Sequence, residues 1–378
     1  MGRDTLGSMR RYLQDQVESD LQEKMVFVGG PRQVGKTTLA KALLTDPAGY
    51  LGWDIPSQRE RILRRELPDA ELWVFDELHK YRRWRNYLKG VFDEFGEEHR
   101  ILVTGSARLD LYRFGGDSLQ GRYHFLRLHP LSLAELGSQQ NADDVEALLQ
   151  LGGFPEPFLR GSLARARRWS AEYRSRLIRE EVATLENVRD LGLMEQLMLA
   201  LPERVGSPLS RNALREELEI NHQTVTRWLD IFERLYAIFR VAPFGAPRLR
   251  AVKQARKHYH TDWSVVPDEA ARFENMVASH LLKWVHFQFD TAGRELELRY
   301  FRDVDGREVD FVVVERRRPV LMVEVKRSAG GADPSLRYLK ERFPECEAYQ
   351  VHLHGRSESV TRERIHLWSA ARFLSALV

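Results

Sequence analysis

The sequence has a single cysteine among its 378 residues, Cys346, and it has no long apolar run. One cysteine excludes an intramolecular disulfide framework and a zinc site built on cysteines. Without a run of about 18 apolar residues, a membrane-spanning helix is not expected. Residues 1–24 are charged and amphipathic, unlike a signal peptide. These absences predict a cytoplasmic protein with no membrane partner.

An excess of charge of one sign is also lacking, because 58 Lys and Arg residues face 55 Asp and Glu residues, for a net charge of +3. Acidic residues stand near most of the arginine clusters, which is typical of solvated, salt-bridged helix faces. The stretch 248–260 differs, because it holds several cations and no acid. We therefore expect this stretch to contact phosphate groups.

A complete phosphate-binding loop occupies residues 30–37, which fit G-x-x-x-x-G-K-[ST] without substitution between an apolar, strand-like run and a helical pattern. Gly30 and Gly35 allow backbone N–H groups to turn around a phosphate. Lys36 can then reach the β- and γ-phosphates of a nucleotide, and the Thr37 hydroxyl can bind Mg²⁺. The residues expected to bind ATP here are Gly30, Pro31, Arg32, Gln33, Val34, Gly35, Lys36, Thr37 and Thr38.

Two acids, Asp76 and Glu77, end the apolar run 71–77. A buried parallel strand would deliver such carboxylates to the sheet edge beside the phosphate-binding loop. We expect Asp76 to support Mg²⁺ and Glu77 to orient or deprotonate the attacking water. A further strand-like run ends in hydroxyls, so that Thr104 or Ser106 can face the nucleotide; a capped strand–loop junction is the alternative interpretation.

Six segments in a fixed order, GPRQVGKT, LWVFDE, LVTGSA, LQGR, HPLSLAEL and GGFPEP, resemble those of AAA+-type P-loop ATPases with a DUF4143 C-terminal region. The resemblance covers most of the chain. It implies an α/β fold with a doubly wound parallel sheet, Mg²⁺-dependent ATP hydrolysis and an arginine finger at Arg122. A finger acts on a neighbouring subunit or after a domain movement, which implies a homo-oligomer such as a ring. A structural salt bridge is the alternative role for Arg122.

The middle of the chain resembles a winged helix-turn-helix that follows a helical, arginine-rich segment. Ser210 can cap a first helix, and Asn221 or His222 can cap a second. Residues 236–241 and 257–261 then resemble the two strands of a wing.

The second of these helices would read DNA with the residues near its start, His222, Gln223, Thr226 and Arg227. Asp230 and Glu233 on the same helix would repel phosphates if they faced a duplex. The alternative is therefore a winged helix used as an ATPase lid or as a protein interface.

The C-terminal third resembles the PD-(D/E)XK nuclease fold. Glu324 and Lys326 would share one face of a strand, with Asp310 on the facing strand of a hairpin. Glu274, on an earlier helix, matches an acid found in some members, notably archaeal Holliday-junction resolvases. We expect Glu274, Asp310 and Glu324 to bind a metal and Lys326 to orient a nucleophile. A cross-face ion pair is the alternative for Glu324 and Lys326.

We therefore predict an ATPase core at 1–135, a helical lid or bridge at 136–205, a winged helix at 206–264 and a PD-(D/E)XK-like α/β domain at 265–378. The favoured hypothesis is an ATP-hydrolysing machine that acts on DNA, in particular branched DNA such as Holliday junctions. In the alternative, an ATP-dependent regulatory switch binds a protein partner through its C-terminal domains.

Overall fold

The computed structural model describes residues 9–106, 109, 119–137, 140–182, 190–245, 255–355 and 358–378. The chain forms two compact units, Met1–Pro130 with Asp290–Ala292 and Leu131–Phe289 with Gly293–Val378. In the described ranges, no helix is long and apolar enough to cross a lipid bilayer. The finer division into four domains stays a prediction.

A five-stranded sheet forms the centre of the first unit. Its strands are β1 (Met25–Gly29), β2 (Tyr50–Gly52), β3 (Leu72–Asp76), β4 (Arg100–Thr104) and β5 (Tyr123–Arg127). They lie in the order β2-β3-β4-β1-β5, and every neighbouring pair is parallel. β4 therefore lies between β1, which leads into the phosphate-binding loop, and β3, which ends at Asp76.

Continuous apolar runs explain these strands, because every residue of β1 and β3 is buried. A parallel sheet that is covered on both faces requires such runs rather than an alternating pattern. The described helices of the unit are Gln14–Asp20, Lys36–Ala42, Pro56–Arg64 and Trp84–Phe95, with 3₁₀ turns at Pro47–Gly49 and Leu78–Lys80. The predicted α/β class with a parallel sheet is confirmed for this unit.

Several helices of the second unit begin at polar caps that accept hydrogen bonds from the first turn. The Asn141 carboxamide accepts from the N–H of Asp143, and the Asp268 carboxylate accepts from that of Ala271. Such caps satisfy N–H groups that have no partner within the helix. The described helices are Ala142–Leu151, Pro155–Arg160, Leu163–Arg176, the π-helical Leu177–Val182, Leu191–Ala200, Arg211–Glu217, His222–Arg234, Glu269–Ala292, Pro334–Arg342 and Ala370–Ser375.

An eight-stranded mixed sheet runs through the second unit. Its strands are β6 (Ile238–Pro243), β7 (Lys257–His260), β8 (Leu296–Arg302), β9 (Glu308–Glu315), β10 (Arg318–Ser328), β11 (Glu347–His354), β12 (Ser359–Val360) and β13 (Ile365–Ser369). Their order is β12-β13-β11-β10-β9-β8-β6-β7. β6 pairs antiparallel with β7 and parallel with β8. The hairpin predicted as a wing is thus continuous with the strands predicted as nuclease-like.

Candidate functional site

The phosphate-binding loop needs glycine at two positions for different reasons. Gly30 has φ 141°, and a Cβ atom there would lie 2.3 Å from the carbonyl oxygen of Leu128. Gly35 has φ 102° and stands immediately before the helix Lys36–Ala42. Side chains at these positions would block the close approach and strain the left-handed backbone. The backbone of the loop therefore requires glycine at both positions of the motif.

Lys36 lies inside this loop and is only 7% exposed. Its ammonium group donates to the carbonyl oxygens of Gly30 at 3.0 Å and Pro31 at 2.6 Å. These hydrogen bonds hold the ammonium against the first two residues of the loop, and in loops of this type the lysine reaches the phosphates. The other residues predicted to contact nucleotide form the middle of the loop or the first turn of the helix: Arg32, Gln33, Val34, Thr37 and Thr38.

Three hydroxyl groups meet at the carboxylate of Asp76. The Thr37 hydroxyl donates to Oδ2 at 2.9 Å, and the Tyr50 hydroxyl donates to the same oxygen at 2.7 Å. The Thr104 hydroxyl donates to Oδ1 at 2.5 Å. The strand order explains this convergence, because β2, β3 and β4 are neighbours and the loop helix begins beside them. The structure thus brings together Thr37 and Asp76, the two residues predicted to support Mg²⁺ at the phosphate-binding loop.

Glu77 follows Asp76 with a left-handed backbone, at φ 59°. A non-glycine residue holds this conformation only where its surroundings impose it. Burial raises the pKa of Glu77 above its ordinary value, although Lys80 opposes the shift from 3.3 Å. A carboxylate with a raised pKa is better suited to accept a proton near neutral pH. Ser106 is buried, and its hydroxyl lies 3.4 Å from Nε2 of His79.

Arg122 stands immediately before β5, at the end of the sheet away from its own loop. The register sets Tyr123 opposite Met25, whereas the loop follows Gly29 at the other end of β1. A strand of this length, at about 3.3 Å per residue, separates Arg122 from that loop. Its guanidinium donates to Asp93 at 2.7 Å. Any contact of Arg122 with ATP therefore requires a second subunit or a large movement.

Two residues that sequence reasoning did not single out contribute to this site. Tyr50 orients Asp76, and the buried Arg11 donates to the carbonyl oxygens of Val34 and His129. Neither belongs to a recognisable motif. Tyr50 could be found only from the strand order, which places Gly52 of β2 opposite Asp76 of β3.

A second cluster of charged side chains lies in the second unit and contains the predicted nuclease-like residues. The Glu324 carboxylate accepts from the Asp310 N–H at 3.3 Å and from the Lys326 ammonium at 2.7 Å. Asp310 accepts from the N–H of Val325 at 2.9 Å. Lys326 also contacts Asp333 at 2.9 Å. The structure therefore brings Asp310, Glu324 and Lys326 together on β9 and β10.

Glu274 joins the cluster from the helix Glu269–Ala292 through Lys257 of β7. The Lys257 ammonium lies 3.3 Å from Glu274, 2.6 Å from Glu308 and 3.7 Å from Asp310. The Tyr259 hydroxyl donates to Glu274 at 2.7 Å. Burial, followed by the nearby Asp310 carboxylate, raises the pKa of Glu274 to about 7.

The same two causes raise the pKa of Glu324 to about 8, and burial raises the pKa of Asp310. Burial disfavours the charged form of each carboxylate, and in Glu274 and Glu324 the nearby Asp310 adds to this effect. Within the part of the chain that the structure describes, no group of three or more Asp, Glu, His or Cys side chains is arranged to hold a metal ion.

Three basic residues of the stretch 248–260 are buried and do not form the phosphate-contacting surface that its composition suggested. Lys257, His258 and His260 are at most 2% exposed, because every residue of β7 is buried and side chains on both faces of the strand are covered. Residues 246–254, which include Arg248, lie outside the described residues. The expectation of a phosphate contact is therefore wrong for Lys257, His258 and His260, whereas it stays a prediction for the partly exposed Arg256.

The two helices predicted for a winged helix are present, with the predicted caps. Ser210 accepts from the N–H of Ala213, and Asn221 accepts from that of Thr224. A groove of about 540 Å³ borders the second helix and is lined by Arg211, His222, Gln223, Thr226, Arg227, Asp230, Ile231 and Arg234.

The two acids of this helix are neutralised from β6. The Arg240 guanidinium donates to Asp230 at 2.7 Å and to Glu233 at 3.0 Å. Both acids are therefore paired with a cation near the groove. At the start of the helix, His222, Gln223 and Arg227 are exposed.

Three family models match consecutive parts of the chain. An AAA domain matches residues 22–137, a domain of unknown function, DUF8612, matches residues 142–273, and another, DUF4143, matches residues 270–373. The first unit thus contains an AAA-type, ATPase-like domain, and the chain ends in a DUF4143 domain. The predictions of an AAA-type domain and a DUF4143 region are confirmed.

Two proteins that are similar over most of this chain are uncharacterized proteins. One from Haemophilus influenzae is 20% identical over 359 residues, which cover 84% of this chain and 86% of the relative. One from Mycobacterium tuberculosis is 24% identical over 340 residues, which cover 86% of this chain and 74% of the relative. These similarities extend over most of the chain and assign no activity.

Two solved structures show weak similarity. A DNA polymerase III gamma subunit-related protein from Thermotoga maritima has a TM-score of 0.25 and 14% identity, over 62% of this chain and 83% of that protein. A STAND protein with a tetratricopeptide repeat sensor from Pyrococcus horikoshii has a TM-score of 0.23 and 13% identity, over 74% of this chain and 49% of that protein. TM-scores this low carry no argument about fold or function.

Proposed function

We propose that the protein hydrolyses ATP at the AAA domain. The observation that carries the proposal is the contact of Asp76 with Thr37 at 2.9 Å, beside a loop that buries Lys36. This contact joins the start of the loop helix to the end of β3, and in P-loop ATPases a hydroxyl and a carboxylate at these two places hold Mg²⁺. The loop supplies N–H donors and the Lys36 ammonium to the phosphates.

The oxygen atoms of Thr37 and Asp76 fit Mg²⁺, which prefers hard oxygen ligands. When bound there with ATP, Mg²⁺ would neutralise negative charge on the phosphates. Thr104 and Tyr50 orient the Asp76 carboxylate through their hydroxyls. Glu77, at the next position, orients the attacking water and accepts its proton.

Arg122 is proposed to act on the ATP of a neighbouring copy, which makes the active form a homo-oligomer. The support is its position at the opposite end of the sheet from its own loop. A guanidinium supplied in trans stabilises charge that develops during phosphoryl transfer.

The ATPase proposal is tested by ATP turnover in the Lys36→Ala variant. We expect turnover to fall to background, while Lys24→Ala, which removes the lysine just before β1, keeps it. Retained turnover in purified Lys36→Ala protein would refute the assignment. Turnover that rises more than linearly with protein concentration, and loses this dependence in Arg122→Ala, would support the trans arginine.

We further propose that ATP hydrolysis drives action on DNA, in particular on branched DNA. The support is the neutralisation of Asp230 and Glu233 by Arg240, which removes the repulsion expected at the helix His222–Arg234. His222, Gln223 and Arg227, which are exposed, would contact base edges and phosphates.

The DNA proposal is tested with a labelled four-way junction, a fork and a duplex, with and without ATP, on native and denaturing gels. We expect ATP-dependent strand separation on the native gel. We also expect affinity to fall steeply with salt, because phosphate contacts release counterions. Arg227→Ala should weaken binding, while Arg165→Ala, an exposed arginine on another helix, should not.

A regulatory ATPase that binds a protein partner is the second candidate. The burial of Lys257, His258 and His260 favours it, because this removes part of the expected phosphate surface. If no DNA substrate is bound or separated, this candidate replaces the DNA proposal. Partner capture that depends on a non-hydrolysable ATP analogue, and is lost in Lys36→Ala, would then test it.

A further inference from the structure

The carboxylate cluster of the second unit contains its own cation. Lys257 enters from β7 with a side chain that is 1% exposed. Its Nζ atom lies 5.5 Å from the centre of the Tyr300 ring on β8 and ends among carboxylates of the helix Glu269–Ala292 and of β9. The ammonium therefore lies within the sheet edge rather than at the surface.

The contacts of this ammonium are with three of the acids in the cluster. Glu308 lies at 2.6 Å, Glu274 at 3.3 Å and Asp310 at 3.7 Å. These include two of the three residues predicted to bind a metal. A divalent cation held by the same oxygens would lie within a few ångström of a positive charge and be repelled by it.

Glu324, the third residue predicted to bind a metal in this cluster, is also paired with a cation. Glu324 accepts from Lys326 at 2.7 Å, and Lys326 also contacts Asp333 at 2.9 Å. In metal-dependent hydrolysis the acids bind the ion and the lysine faces the nucleophile. Here the acids and both lysines are engaged with one another.

Backbone and hydroxyl donors complete the cluster. Asp310 accepts from the Val325 N–H at 2.9 Å, and Glu274 accepts from the Tyr259 hydroxyl at 2.7 Å. Gly206 closes over Glu274, since a Cβ atom at that position would lie 2.9 Å from its Oε2 atom. The carboxylate oxygens are thus directed at protein donors.

We infer that Lys257 is the resident counter-ion of this cluster, which binds no divalent metal and does not hydrolyse phosphodiesters by a metal-dependent route. The residues of the nuclease-like pattern are present, but the metal does not fit their arrangement. The cluster instead ties β7, β9 and β10 to the helix Glu269–Ala292. The inference goes beyond the proposed ATPase and DNA roles, and its failure would leave both untouched.

The test is Mn²⁺ binding to the full chain, measured by electron paramagnetic resonance without nucleotide. All proteins carry Asp76→Asn, so that Mn²⁺ at the AAA domain does not contribute. We expect the protein with Lys257 intact to bind no more Mn²⁺ than the same protein with Asp310→Asn. A variant with Lys257→Met should gain about one Mn²⁺ per chain and lose it when Asp310→Asn is added.

Stoichiometric Mn²⁺ binding with Lys257 intact, abolished by Asp310→Asn, would overturn the inference. So would Mn²⁺-dependent cutting of a labelled four-way junction that disappears in Asp310→Asn. If Lys257→Met does not fold, the inference is still tested by comparing Mn²⁺ binding of the protein that keeps Lys257 with that of its Asp310→Asn variant.

Discussion

The guanidinium of Arg11 donates to the carbonyl oxygen of Val34 at 2.6 Å and so holds the phosphate-binding loop from outside its motif. A second N–H donates to the carbonyl oxygen of His129 at 2.6 Å. Arg11 is 7% exposed, and hydrogen bonds from a buried charged group are stronger than neutral ones. One arginine thus connects the loop to the segment just after β5.

Replacement of Arg11 by lysine should weaken nucleotide binding without unfolding the domain. Lysine keeps the positive charge but lacks the planar guanidinium group, which donates to two carbonyl oxygens at once. Each hydrogen bond to a charged group contributes about 1.5–3 kcal/mol, so we expect about a tenfold or larger loss of ATP affinity. Fluorescent-nucleotide titration measures it. Arg10→Lys, at the exposed neighbouring position, is the control; equal effects at both positions would contradict the role of Arg11.

The hydrogen bond from Thr104 to Asp76 should be needed for full ATP turnover. Its side chain is fully buried, and Thr104→Val keeps the shape while it removes the only hydroxyl that donates to Oδ1 of Asp76 among the described contacts. An unsatisfied buried acceptor costs about 1–3 kcal/mol, so we expect turnover at saturating Mg²⁺ and ATP to fall about tenfold or more. Thr104→Ser should restore it. A Val variant as active as the Ser variant would show that the bond is not needed.

The residues expected to bind nucleotide could be predicted from the sequence, whereas the residues that hold them in position could not. The motif at 30–37 has a fixed spacing, so Lys36 and Thr37 were assigned without a structure. Asp76 and Glu77 followed from an apolar run that ends in acids. Tyr50 and Arg11 act through strand order and a distant carbonyl, and neither is encoded in local spacing.

The second unit shows why composition can mislead. Lys257 and His258 were grouped with a basic stretch, but both faces of β7 are buried and Lys257 is surrounded by acids. Glu324, Lys326 and Asp310 were placed together correctly, since strand periodicity fixes which residues share a face. The partner of Glu274 was missed, because Lys257 reaches it from a strand that precedes the helix.

Glu77→Gln should separate binding from hydrolysis. The amide keeps the size of the side chain but cannot accept a proton from water, so we expect ATP to bind and turnover to fall by about 100-fold or more. Because the pKa of Glu77 is raised, wild-type turnover should decline with falling pH before the ordinary carboxyl value of 4.5 is reached. Rate–pH profiles at saturating ATP test this. A decline only below pH 4.5 would contradict the raised pKa.

His280 should make the second unit sensitive to acid. Its Nε2 atom accepts from the N–H of Leu133 at 3.1 Å, so Nδ1 carries the proton that is donated to the carbonyl oxygen of Met276 at 2.8 Å. Both nitrogens are engaged only in the neutral ring. Burial lowers the pKa of His280 to about 4, from an ordinary value of 6.5.

Between these pH values the unfolded chain binds a proton that the folded chain does not. The stabilisation from neutral His280 is therefore complete above pH 6.5 and is lost as the pH falls toward 4, by up to about 3 kcal/mol. The free energy of unfolding of the wild type should fall more over this range than that of His280→Gln. His222→Gln, at an exposed site, should match the wild type. Parallel curves for the wild type and His280→Gln would contradict the assignment.

Arg240 should support DNA binding indirectly, by its contacts with Asp230 and Glu233. Its side chain is 12% exposed, while those acids are 42% and 35% exposed, so part of the interaction is screened by water. Arg240→Met leaves two carboxylates without their cation beside the groove. We expect the free energy of unfolding to fall by about 1–3 kcal/mol and DNA affinity to fall as well.

The two effects are separated by a compensating variant. Asp230→Asn and Glu233→Gln remove the charges that Arg240→Met exposes, so their combination with it should restore DNA affinity even if stability stays low. Filter binding at two salt concentrations gives the affinity, and chemical denaturation gives the stability. Affinity that is not restored would mean that Arg240 contacts DNA itself, whereas affinity unchanged in Arg240→Met would place the DNA-binding surface away from the helix His222–Arg234.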